Sequence, residues 1–472
     1  MASSSVPTEL GTKKISSLLR EYAVPAIIAM TASSLYNMVD SIYLGHIEGS
    51  GHLAITAVAV CFPLMNLSAA LGTLVGIGAA TLISVLLGQK NYSLAGKALE
   101  NDVTLNTFFG ILFGATALVW LSPILRFFGA SDLTLPYARA YMYPLLIGNV
   151  VTHLYFGLNA VIRASGNPKL AMGLTLFTVI SNSILDPIFI FVLDMGIQGA
   201  ALATILCQTM AMIYSMWYFM DKNKFMHLPP KIFGIHWKLA RKSLAIGMGP
   251  FLMNAASCIV ALFINQQLGR YGGDMHIGGY GIANRLTFLF VMIVMGLNQG
   301  MQPIAGYNFG ARQYSRVKET FFLTAKWATL IMCLSFIVSE VFPEIAASAF
   351  TDDPLLRDIA AKGLRIMNVV IPIIGFQMVS TNLFQSLGMV DKSVILSLSR
   401  QLLFLVPCVY ILPLFMGQDG VWMSFPVSDA LASILTIIFM GRLIKKLSRL
   451  KDGDDPSVLG SRIRESAKKV QQ

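Results

Sequence analysis

Three aspartates stand inside long apolar stretches of this sequence: Asp40, Asp186 and Asp429. An ionisable residue at membrane depth is costly, so each marks a candidate ion or substrate site. Asp40 follows Tyr36 and Asn37 by four and three residues, with Ser33 one turn earlier, so a polar stripe shares its helical face. Such a stripe serves either a ligand or a hydrogen-bonded contact with a neighbouring helix. Asp186 follows Asn182 by four residues and precedes Pro187. Proline has no N–H, so the carbonyl four residues back, that of Ser183, loses its helical partner. A carboxylate, an amide oxygen and a free carbonyl in one turn suit a small hard cation or a proton. Thr204, on the following apolar stretch, adds a hydroxyl. The plainer alternative is a proline kink whose polar groups satisfy one another.

Two aspartates in one dry cavity would hold a proton or bind a cation that neutralises them. Loading and unloading would change the local charge and bias a two-state helix packing, with Pro25 as the expected hinge. Asp429 is the candidate in the second half. His153 sits mid-span and either relays protons or is a hydrogen-bonded structural histidine. Arg285 either meets an anionic group or snorkels to the interface. Asp102, Asp194 and Glu340 fall near expected span ends and read as interfacial charges.

These residues need apolar helices to position them. The chain has 472 residues, 55% of them hydrophobic and only 12% charged, about half the charge of a soluble domain. Twelve apolar windows of spanning length recur, at 17–44, 53–86, 103–128, 136–161, 168–193, 198–220, 243–268, 277–306, 320–345, 358–385, 394–415 and 420–444. With the N-terminus inside, 28 of the 35 Lys and Arg fall in inner segments, which predicts both termini cytoplasmic. That placement also accounts for the net charge of +11 without nucleic acid. The five cysteines, at 61, 207, 258, 333 and 408, lie in apolar stretches with no metal-ligand spacing. No P-loop, HExxH or nucleophile elbow appears, so neither an enzyme nor a resident cofactor is expected.

The chain repeats itself. Gly88-Gln-Lys-Asn-Tyr-Ser parallels Gly310-Ala-Arg-Gln-Tyr-Ser, Gly166 parallels Gly388, Gly196 and Gly199 parallel Gly417 and Gly420, and Leu44-Gly45 parallels Leu268-Gly269. The expected fold class is all-α integral membrane, about 12 transmembrane helices in two six-helix lobes related by a pseudo-twofold axis along the membrane normal. The expected divisions are an N-lobe at 1–225, a cytoplasmic linker at 226–242, a C-lobe at 243–444 and a charged cytoplasmic tail at 445–472. By the repeat offset Asp429 aligns with Gln208 and Asp40 with Ile264, so ion coupling is expected in the N-terminal half.

Tyr36-Asn-Met-Val-Asp40, Arg163-Ala-Ser-Gly-Asn-Pro-Lys169, Ser181-Asn-Ser-Ile-Leu-Asp-Pro187, Gly196 to Thr204 and Gln302 to Ala311 together resemble the multidrug and toxic compound extrusion family, in its DinF/MepA-like branch. The resemblance covers residues 12 to 445. It implies secondary active efflux of amphipathic, cationic organic compounds from a plasma membrane in exchange for H+ or Na+. It implies a coupling-ion site at Asp40, Asn182, Asp186 and Thr204, which would serve Na+ as well as H+. Tyr36, Asn37 and Asn159 are the expected N-lobe cavity residues. The partners expected are small-molecule drugs or organic cations and the lipid bilayer, with a monomer sufficient for function. A lipid-linked oligosaccharide flippase of the same superfamily is the alternative.

Overall fold

The computed structural model describes residues 8–47, 51–229, 232–350 and 353–455, except the side chains of residues 37, 38, 41, 42, 45, 51, 52 and 274. All regular structure among the described residues is helical. The main helices are α1 (Ile15–Gly45), α2 (Gly51–Gly88), α3 (Tyr92–Val119), α4 (Leu135–Ile147), α5 (Asn149–Ala164), α6 (Pro168–Pro187) and α7 (Gly196–Met220). After a polar connection come α8 (Trp237–Gly272), α9 (Asp274–Gly310), α10 (Tyr314–Val341), α11 (Pro354–Asn368), α12 (Ile371–Ser386), α13 (Val390–Leu398) and α14 (Gln418–Arg449).

Among the described residues nine helical spans are long and apolar enough to cross a bilayer singly. Two more spans are broken, α4–α5 and α11–α12, each bent by 55°. The 31 residues of α1 complete a set of twelve. The protein is a multi-pass membrane protein. At the α4–α5 bend Gly148 has no side chain because Ile205 fills that position, its Cδ1 2.6 Å from where a Cβ would stand.

The sequence repeat reappears in the backbone. Left-handed turns fall at Lys90 and Arg312, at Gly166 and Gly388, and at Gly196 and Gly417. A β-carbon disfavours that conformation, so two of the three turn pairs use glycine while Lys90 and Arg312 tolerate it at matching places.

Two compact units result. One comprises Met1–Thr12 and Ile28–Phe251, the other Lys13–Ile27 and Leu252–Gln472. The division therefore does not coincide with the polar connection at 226–242. It passes through α1 just after Pro25 and through α8 just after Pro250. Glycines explain why each half-helix packs where it does. In the first unit the start of α8 lies against α2: a Cβ on Gly247 would stand 1.8 Å from the Leu74 carbonyl oxygen, and one on Gly78 2.0 Å from that of Ser243. In the second unit the start of α1 lies against α9: a Cβ on Gly300 would stand 2.5 Å from the Ala23 Cα, and one on Gly296 2.6 Å from the Ile27 Cα. Lipid supplies no hydrophobic drive between helices, so close backbone approach at small residues does this work. Gly247→Ala is accordingly expected to destabilise the protein by roughly 1–3 kcal/mol, the usual cost of overpacking. Gly173→Ala, whose β-carbon would meet nothing within 4 Å, is the neutral control. Thermal unfolding in detergent checks both.

The third expected window, 103–128, starts eleven residues late, the largest such difference: α3 begins at Tyr92. Asn91 caps it, its Oδ1 accepting from Leu94 N at 3.2 Å. The polar residues of its first turns are used by the connection before α8. His236 N donates to Asn101 Oδ1 at 2.8 Å, Asn101 Nδ2 donates back to the His236 carbonyl at 3.2 Å, and Thr104 Oγ1 donates to the Gly234 carbonyl at 3.2 Å. Glu100 Oε2 meets His236 Nε2 at 3.0 Å.

Past α14 the chain folds back onto the turn before α10. Ser315 donates its amide N–H to Asp452 Oδ1 at 3.0 Å and its hydroxyl to Oδ2, and Tyr314 Oη donates to the Asp454 carbonyl at 2.8 Å. Burial acts to raise the Asp452 carboxyl, but these bonds and the Lys318 charge outweigh it and hold the group below its ordinary value. A carboxyl lowered in the folded state stabilises above its unfolded pKa, and the contribution is lost as pH falls through the folded value. Proteolytic cleavage of the segment after Leu450 is therefore expected to accelerate below about pH 4, and Asp452→Asn to be cleaved at the acid rate already at neutral pH.

Candidate functional site

Three helices of the first unit bring the predicted ion ligands together. Asp40 arrives on α1, Asn182 and Asp186 on the last turns of α6, and Thr204 on α7; Asp186 has no solvent exposure, and Asp40 only 8%. Asn182 Nδ2 donates to Asp186 Oδ1 at 2.8 Å, as their spacing of four on one helix requires. Tyr36 Oη and Thr204 Oγ1 share a hydrogen bond of 3.2 Å, tying α1 to α7 beside the acids. Thr204 Oγ1 also donates to the Ala200 carbonyl at 3.0 Å. Asp40 and Asp186 lie within each other's electrostatic reach, and Tyr36 within reach of both. Directly after Pro187 the helix widens into a π-turn, Ile188–Val192, the irregularity expected where a proline interrupts the ladder.

The polar accounting of this cluster is incomplete in one direction. Asp40 Oδ1, Asn182 Oδ1 and Asp186 Oδ2 are buried acceptors with no donor. Buried acceptors normally find donors, so a bare set of this kind marks a place for a proton or a cation. Two carboxylates and an amide oxygen turned inward fit a proton or a small cation. Among the described residues no three His, Cys, Asp or Glu side chains gather as a transition-metal site would require.

Tyr141 of α4 and Cys207 of α7 also face this cluster, both buried and within electrostatic reach of the acids. Sequence reasoning missed Tyr141, since nothing in its spacing separates it from Tyr137 and Tyr143. Cys207 stands three residues after Thr204, a helical-face signal that could have found it.

The other predicted residues are placed as follows. The Asn37 side chain lies outside the described residues. Asn159 Nδ2 donates to the Ala171 carbonyl at 3.0 Å and contacts Thr175 Oγ1 at 3.4 Å. It therefore joins the start of α6, two turns or more from Asn182. Pro25 sits within the unbroken α1. His153 is fully buried, its Nε2 3.2 Å from Ser68 Oγ, which in turn bonds Asn149. Asp429 of α14 is buried in the second unit and accepts a 2.6 Å hydrogen bond from Arg400 Nε. Arg285 is exposed on α9, with no acidic partner among the described residues. Asp102 is completely buried within the protein, on an α3 that begins eleven residues before its apolar window.

Comparison with known proteins bears on this arrangement. The family model MatE matches the chain twice, over residues 25–188 and 249–411. The multidrug export protein MepA of Staphylococcus haemolyticus (strain JCSC1435) is 26% identical over 430 residues, which cover 91% of this chain and 94% of that one. A solved outward-facing multidrug resistance MATE family transporter of the MOP superfamily superposes with a TM-score of 0.87 at 23% identity, covering 94% of this chain and 99% of that one. A further solved structure, named only "protein A", gives 0.86 at 34% identity, covering 93% and 98%.

Proposed function

The chain belongs to the MatE family, and from that premise we propose that it exports small organic compounds, amphipathic cations among them, across the plasma membrane in exchange for inward H+ or Na+. The observation that carries the coupling mechanism is the inward-facing set of unpartnered oxygens on Asp40, Asn182 and Asp186. Uptake of one positive charge there supplies the missing donor or ligand and relieves two carboxylates that repel each other in a dry site. The neutralised cluster favours a helix packing that the charged cluster opposes. Asp40 and Asp186 bind the ion, Asn182 orients Asp186, and the Thr204–Tyr36 pair closes the site between α1 and α7. Pro25 is the hinge through which α1 responds. The excess of Lys and Arg in alternate connections supports a cytoplasmic position for both termini. One chain carries both six-helix halves, so a monomer suffices. A lipid-linked oligosaccharide flippase is not favoured, because MepA, similar along 91% of this chain, is a multidrug export protein.

The test is ethidium transport by the purified protein in liposomes, driven by a pH gradient alone and then by a sodium gradient alone. Transport under one of the two names the coupling ion. Transport under neither, in liposomes where the protein is folded and correctly inserted, overturns the reading.

A further inference from the structure

A second buried polar seam runs through the first unit, away from the Asp40–Asp186 cluster. Three helices each present a face at spacings of four: Ser68, Gly72 and Gly76 on α2, Asp102, Asn106 and Gly110 on α3, and Asn149, His153 and Gly157 on α5. The glycines let the backbones close. A Cβ on Gly76 would stand 2.8 Å from the Gly157 Cα, and one on Gly110 2.8 Å from the Val150 Cα. Gly157 itself packs over the acid: its Cβ would stand 2.2 Å from Asn106 Nδ2 and 2.7 Å from Asp102 Oδ2.

Asp102 and Asn106 are both fully buried. Asn106 Nδ2 donates to Asp102 Oδ1 at 3.0 Å. Asp102 Oδ2 and Asn106 Oδ1 have no donor, and no cationic side chain pairs with Asp102 among the described residues. An isolated carboxylate in such a place costs far more than a neutral acid. Two oxygens under a closed backbone do not make a metal cage, which takes several oxygen ligands. A proton needs one oxygen and no volume, and it supplies the donor that the two bare acceptors lack.

We propose that Asp102 with Asn106, roofed by Gly157, is a second proton-binding site of this protein. The charged and titratable groups on the elements packed against it are Tyr92, Lys97 and Glu100 on α3, His153, Tyr155 and Arg163 on α5, His236 before α8, and Lys238, Arg241 and Lys242 at its start; α2 offers only Cys61 over its described side chains. The site sits in the same turn of α3 as Asn101 and Thr104, which clasp the connection between the two halves of the chain. It thus places a proton beside that clasp and apart from the pair on α1 and α6.

The test is infrared difference spectroscopy of the full-length protein in lipid, reading the C=O band of protonated carboxyl groups. The Asp40→Asn/Asp186→Asn variant is expected to keep such a band at neutral pH, and adding Asp102→Asn to remove it. Asp102→Asn alone is expected to melt at or above the wild-type temperature, since an amide there replaces a neutral acid. Absence of the band from the double variant, its survival in the triple variant, or failure of Asp102→Asn to fold would each overturn the proposal. So would loss of the band on adding sodium chloride at constant pH, with choline chloride as control, which would make the ligand a metal cation.

Discussion

Asp40→Asn is expected to abolish gradient-driven export while leaving the fold in place. The substitution keeps the shape of a buried side chain and removes its ability to take up a proton or to contribute charge to a cation site. In an exchanger the coupling is a free energy shared between two bound species, typically about 1–3 kcal/mol, and the upper end corresponds to roughly 100-fold in rate or affinity. A drop of about that size is expected for Asp40→Asn, and an equal one for Asp186→Asn, since each removes one of the two buried acids. Asn182→Ala should cost less, about tenfold, because it removes one orienting hydrogen bond to a charged group rather than the charge. The readout is ethidium efflux beside the melting temperature. Wild-type efflux in both aspartate variants would dismiss the cluster as the coupling site. Lost efflux together with a collapsed melting temperature would assign the acids a structural role instead.

Arg400→Met is expected to be among the most destabilising single substitutions in the second unit. Arg400 Nε and Asp429 Oδ1 are 2.6 Å apart, with the aspartate side chain 4% exposed and the arginine 35% exposed. Removing the arginine leaves a carboxylate buried without a partner, which costs about 3 kcal/mol at the open end of the usual range. Asp429→Leu combined with Arg400→Met should recover most of that loss, because an apolar pair of similar bulk needs no mutual compensation. Melting temperatures of the two single variants and the double give the coupling directly. If the double is no better than Arg400→Met, the pair is not what holds α14 against the π-turn at Ser399–Leu405. Export by the double variant is a separate readout: retention of transport fits an N-terminal coupling site, whereas its loss brings Asp429 back as a transport residue.

Much was legible without coordinates, for a physical reason. Apolar length decides whether a helix can cross a bilayer, and that is a local property of the chain. The span count, the two broken spans as single crossings and the internal repeat are therefore readable from residues alone. The Asn182–Asp186 bond was readable too, because a spacing of four on one helix puts two side chains on one face. The same rule located the stripe ending at Asp40. What remained was decided by packing between elements distant in sequence. The Tyr36–Thr204 hydrogen bond joins residues 168 apart, and Tyr141 enters the cluster from a fourth helix.

What the sequence hides about the surroundings of the other acids has one cause. Asp102 looks interfacial because hydropathy averages over a window, and Lys97 and Glu100 stand close by; the folded chain turns those residues toward the connection and buries Asp102 under Gly157. Asp429 looks like a lone intramembrane acid until α13 and the π-turn after it bring Arg400 across. The allegiance of the first halves of α1 and α8 is likewise invisible in hydropathy, which reads both as ordinary spans. Glycine–backbone contacts at Gly78, Gly247, Gly296 and Gly300 decide it. The sequence alone determined which segments are helical and apolar, how they repeat and where acids interrupt them. Tertiary structure alone decided which polar atoms find partners and which stay bare, since that depends on how closely separate backbones can approach.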